Sequence, residues 1–159
     1  ACLIPLCSVG GPLVADRVLK AHEGGVSRSR ALPFRDEARY WLLPWKHNER
    51  SAEQFVNCLR GILRDGDVLF ADNTSAGPIL AMREAGAFSE NFRLITFFTG
   101  ESDAELVRLA ASGKRFLVVS PVSGYASASL LDGSFHFVRE GVVFRAVANA
   151  PQGGTSARP

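Results

Sequence analysis

Side chains able to hold a ligand gather at three places: Asp72-Asn73-Thr74-Ser75, Thr99-Gly100-Glu101-Ser102 and Ser120-Pro121-Val122-Ser123-Gly124-Tyr125. Each follows a short apolar run. In α/β proteins, nucleotides and sugar phosphates bind where such strands end. The helix N-termini behind the first two loops favour an anion. The ligand-binding candidates are therefore Asp72, Asn73, Thr74, Ser75, Thr99, Gly100, Ser120 and Ser123. The same residue types are the common N-caps and turn formers, and capping alone accounts for nearly all of them. The structural role carries more weight than the binding one.

Known catalytic patterns are missing from the sequence. There is no G-x-G-x-x-G after the first strand, no Walker lysine and no G-x-S-x-G elbow. His22, His47 and His136 stand apart, without a cysteine or second histidine at ligand spacing. Cys2, Cys7 and Cys58 spell neither a zinc site nor a disulfide framework. The sequence predicts no catalytic residue, no metal site and no cofactor. A net charge of +2 on 159 residues gives no sign of a nucleic-acid binder, which would need a dense basic face.

The elements that must position these loops come from hydrophobic patterning. With 47% hydrophobic and 21% charged residues, the composition is globular and supplies one ordinary core. Ser51-x-x-Gln54 reads as a capping box ahead of Phe55, Leu59, Ile62 and Leu63 at helical spacing, with Asp65-Gly66 as the stop. Val68 to Ala71 reads as a buried strand, and Gly77-Pro78 as the start of a helix that ends at Gly86. Residues 93–98 read as a second buried strand, Ser102-x-x-Glu105 as a capping box for a helix closed by Gly113, and residues 115–120 as a third strand. Alternating helices and buried strands predict a parallel sheet with right-handed crossovers. "SFHFV" and "VVFRAVA" around Arg139-Glu140-Gly141 read as an antiparallel hairpin, with His136 as a surface position.

The expected architecture is a small Rossmann-like three-layer α/β domain over 51–150, with a mainly parallel sheet and an antiparallel C-terminal hairpin. Before it lies a connector, 16–50, in which Tyr40, Trp41 and Trp45 surround Pro44 and read as a packing plug, the alternative being an interfacial anchor at headgroup level. The uncharged stretch 1–15 reads as the truncated end of a transmembrane helix, the other readings being a signal-peptide remnant or a core segment. Residues 151–159 have nothing to bury and read as a disordered tail.

Two resemblances bear on function. "VLFADNTSAG" resembles the ribose-phosphate loop of phosphoribosyltransferases, with Asn73 in place of the second acid and the loop one residue out of step. Over roughly residues 1–110, the run "LPFRDEARYWLLPWKHNERSAEQF", an amphipathic helix and "RDGDVLFADNTSAGPIL" resemble the C-terminal soluble region of bacterial multi-pass membrane proteins of the protein O-mannosyltransferase-like family. The matching residues are Tyr40, Pro44, Lys46, Phe55, Gly66, Asp72 and Thr74. This second resemblance implies sugar transfer from a lipid-linked donor, carried out by a membrane part outside this sequence, with the present piece as a non-catalytic domain. Its implied partners are that membrane part, the membrane itself and a sugar or polypeptide acceptor, and its implied placement is extracytoplasmic. Arg17, Lys20, Arg28, Arg30 and Arg35 favour the cytoplasmic side instead. The alternative is a free-standing α/β enzyme or ligand-binding module, phosphoribosyltransferase-like.

Overall fold

The computed structural model describes residues 49–149, together with Val14 and residues 32–35. The membrane-helix end, the aromatic plug, His22, His47 and the tail fall outside these, Val14 excepted. Among the described residues, no helix is long and apolar enough to cross a membrane. Residues 1–55 and 56–159 form two compact units, and the second holds the sheet.

The chain runs α1 (Ser51–Arg60), β1 (Val68–Phe70), α2 (Asn73–Glu84), β2 (Arg93–Ile95), α3 (Asp103–Ala111), β3 (Phe116–Val118), a 3-10 turn (Ala128–Leu130), β4 (Phe135–Glu140) and β5 (Val143–Ala148). The five strands lie in the order β2-β1-β3-β5-β4. β1 runs parallel to β2 and β3, and β5 runs antiparallel to β3 and β4. The domain is thus mixed α/β, with a parallel half and an antiparallel half in one sheet.

β1 sits between β2 and β3, and alternation along it explains its apolar run. Val68 and Phe70, in register with Phe116 and Val118, share a face and cluster with Leu106, Leu109 and Ala110 of α3. Leu69 and Leu117 point the other way and are equally shut off from water, as are Val56 and Leu59 of α1 and Ile79 of α2. A strand covered on both faces needs an unbroken apolar run, and each fully buried large side chain contributes about 1.5–3 kcal/mol.

Four expectations need correction. Ser51 is the first residue of α1 rather than its cap: the Gln54 N–H bonds the Arg50 carbonyl, and the Glu49 carboxylate takes the Ser51 N–H at 2.8 Å. The helix itself ends at Arg60, before Asp65-Gly66. α2 begins at Asn73, four residues ahead of Gly77, so Pro78 lies inside it. Asp72 caps that helix, and the proline inside it, which has no N–H, costs one backbone bond. The third miss is β2, which stops at Ile95 at a sheet edge, leaving Phe97 48% and Phe98 82% exposed. There the Thr96 N–H bonds the Thr99 hydroxyl and the Phe98 N–H bonds the Thr96 hydroxyl, turning the chain off the sheet.

The fourth concerns the hairpin, which is present with a shorter turn. Arg139 and Glu140 pair with Phe144 and Val143, so the turn is Gly141-Val142. The end of α2 matches expectation: Gly86 has φ of 70°, and the Ala87 N–H returns to the Met82 carbonyl. His136 is exposed, with Nδ1 2.8 Å from Asn149 Oδ1.

Candidate functional site

The parallel strands β1, β2 and β3 end on one side, and the eight candidates follow them there: Asp72, Thr99, Gly100, Ser120 and Ser123 in loops, and Asn73, Thr74 and Ser75 in the first turn of α2. Their environments differ sharply. Asp72 is 4% exposed, and both its carboxylate oxygens are taken: Oδ1 accepts the Thr74 N–H at 2.9 Å and Oδ2 the Ser75 hydroxyl at 2.6 Å. Its carbonyl also accepts the N–H groups of Ser75 and Ala76. Asp72 and Ser75 therefore close the start of α2, near its positive end. Asn73 and Thr74 are exposed on the first turn.

In the second loop, the Thr99 hydroxyl accepts the Thr96 N–H and contacts both the Thr96 carbonyl and the Glu101 carboxylate. Gly100 has φ of 81°, a backbone that a side chain would strain. The Thr99 hydroxyl, with help from the Arg93 guanidinium 3.0 Å away, holds the Glu101 carboxyl below its ordinary range. Ser102 caps α3 by accepting the Glu105 N–H at 3.2 Å. The second arm of that capping box is not made, because Glu105 pairs with Arg108 instead. In the third loop Ser120 is buried, while Ser123 is exposed and bridges to Ala126.

A cleft of about 320 Å³ opens on this side of the sheet. Phe70, Ile95 and Leu106 give it an apolar floor, and Glu101, Asp103 and Ser127 a polar rim. None of the eight candidates lines it. Sequence reasoning missed Asp103 and Ser127, whose contact at 2.6 Å ties the start of α3 to the loop after β3. One signal pointed to Asp103, its place next to a predicted N-cap; Ser127 is hidden in a stretch rich in serine, glycine and alanine.

Chemically, the cleft offers acceptors and no cation: none of its lining residues is basic. Both Glu101 oxygens already accept, from Arg93 and Thr99, whereas Asp103 has only Oδ1 taken among the described residues, by Ser127, and can accept from a ligand hydroxyl or amide; the floor can cover an apolar face. A phosphate would meet the Asp103 carboxylate with no basic residue in the lining, since the nearby Arg93 is already spent on Glu101. No family model, curated protein or solved structure matches the chain.

Proposed function

We propose that residues 51–150 are a non-catalytic, Rossmann-like three-layer domain, and that it serves as the soluble C-terminal region of a multi-pass membrane protein of the glycosyltransferase-like class. On this reading, sugar transfer from a lipid-linked donor belongs to the membrane-embedded part of the same protein. The domain contributes contact with a sugar or polypeptide acceptor, for which the acceptor-rich cleft beside Asp103 and Ser127 is suited.

One observation carries the non-catalytic reading: the Asp72 carboxylate, the acid best placed for chemistry in the sequence, is consumed on both oxygens by its own helix start. A phosphoribosyltransferase-like site needs that carboxylate turned toward ribose hydroxyls. Its burial weighs against the enzyme alternative, as do the carboxylates at the cleft rim.

The test compares thermal and urea unfolding of wild type, Asp72→Ala and Asp72→Asn, with and without sugar phosphates and nucleotides. Asp72→Ala should lose about 1–2 kcal/mol, the upper range for a lost cap. Asp72→Asn keeps one acceptor oxygen and should lose less. A ligand that stabilises wild type alone, with Asp72→Ala no less stable than wild type, would overturn the reading.

A further inference from the structure

A second cleft, of about 450 Å³, lies away from the strand-end loops, where α3 ends and β3 begins. Its charged lining is basic: Arg64, Lys114, Arg115 and Arg145, against the single carboxylate of Glu140. Apart from the adjacent pair Lys114-Arg115, the cations come from separate stretches of the sequence and are brought together by the fold. Gly113, with φ of 78°, turns the chain out of α3 so that Lys114 and Arg115 follow directly at the cleft.

The cations play two parts. Arg115 is built in: Nη1 reaches Asp67 Oδ2 at 2.6 Å and the Ile62 carbonyl at 3.0 Å, while Nη2 bonds Glu140. Glu140 in turn accepts Arg145 Nε at 2.6 Å, so both its oxygens are occupied by arginine. Arg145 is held at Nε, and its two Nη groups make no hydrogen bond among the described residues. The side chains of Arg64 and Lys114 are exposed and have no ion pair or hydrogen bond among the described residues. Four cations against Asp67 and Glu140 leave two positive charges uncompensated.

The geometry points to this cleft as a binding site for a phosphate dianion, with the Arg145 fork and the Arg64 and Lys114 side chains as its ligands. Two surplus charges match the charge of a phosphomonoester near neutral pH. A guanidinium fixed at Nε presents donors in the planar array that phosphate oxygens accept bidentately. Arg115 and Glu140 act as positioning residues, since they hold Arg145 in place without spending its Nη groups. The volume leaves room for an organic group beyond the phosphate. This inference is independent of the function proposed above.

The test uses the full 159-residue chain. Titration with phenyl phosphate, followed by two-dimensional amide NMR, should shift Arg64, Gly113, Lys114 and Arg145 saturably. Arg64→Gln and Lys114→Gln each remove an exposed cation with no structural partner, and each should weaken binding about tenfold, as for a lost charge-assisted bond. Arg83→Gln removes the same charge from α2 and should leave affinity unchanged. Flotation with vesicles of phosphatidic acid, but not phosphatidylcholine, would mark a lipid headgroup as the source of the phosphate. Saturable binding of phenyl phosphate without flotation would mark a soluble ester. Shifts that do not saturate, or equal weakening by Arg83→Gln, would overturn the site.

Discussion

Replacing Arg115 with methionine should be among the most damaging single changes outside the apolar core. Arg115 sits just before β3 and holds Asp67, just before β1, at 2.6 Å. The Asp67 side chain is 4% exposed, and without Arg115 its remaining bonded donor is the Arg64 N–H at 2.9 Å. Breaking a buried pair from one side costs about 3–5 kcal/mol, because the surviving charge stays buried. Arg115 keeps 17% of its side-chain surface in water, which places the loss near the lower end, about 3 kcal/mol.

With a urea slope of about 1.5 kcal/mol/M, the unfolding midpoint should fall by about 2 M. The double variant Asp67→Asn with Arg115→Met removes the orphaned charge as well, and the amide oxygen introduced at position 67 can still accept the Arg64 N–H. It should therefore be more stable than Arg115→Met alone, with a coupling energy of about 2 kcal/mol between the sites. A loss below about 1 kcal/mol for Arg115→Met would refute the reasoning, as would strictly additive losses in the double variant.

Glu140 gives the same network a pH dependence. The Arg115 hydrogen bond, above all, holds its carboxyl below the ordinary value of 4.5, with Arg145 adding to the effect and burial opposing it. A lowered folded-state pKa means that the stabilisation is complete above 4.5 and is lost as pH falls through the folded value. Acid unfolding followed by circular dichroism should show that Glu140→Gln loses less stability than wild type between about pH 5 and pH 3, each relative to its own value at neutral pH. Gly141→Ala should lose about 1–2 kcal/mol in urea unfolding, since φ there is 63°. An added Cβ would also sit 2.7 Å from Ile62 Cδ1, so Gly141→Ala should cost less in an Ile62→Ala background, which isolates the backbone share.

The α/β alternation was legible because the apolar runs at β1 and β3 are long enough to need cover on both faces, and the cap at Ser102 follows from side-chain chemistry within a few residues. The edge strand was misread because Phe97-Phe98 looks like core. Only the Thr96–Thr99 bonds, which compete with the sheet ladder, reveal the turn. The start of α2 was misplaced because proline favours a first helical turn, whereas a strong cap at Asp72 took precedence. The candidate segments do lie at the strand ends, although the first is mostly the opening turn of α2, and the cleft there belongs to Asp103 and Ser127, which meet only through tertiary packing. The basic cleft was invisible for the same reason, since Arg64, Lys114 and Arg145 share no local pattern.

The mixed sheet also sets an order of assembly. β4 and β5 are joined by Gly141-Val142, so their ladder can zip within microseconds of chain collapse. Pairing β3 with β5 then closes a loop of roughly thirty residues, while β1 reaches β2 across one helix and β3 across two helices and a strand. During synthesis, however, the parallel strands leave the ribosome first, and the hairpin that covers β3 comes last. Until it arrives, the nascent chain carries the open, wholly apolar margin of Phe116 to Val118. Before residues 135–148 have paired with it, β3 presents an unpaired apolar edge, the kind of margin at which a chain mispairs with a neighbour.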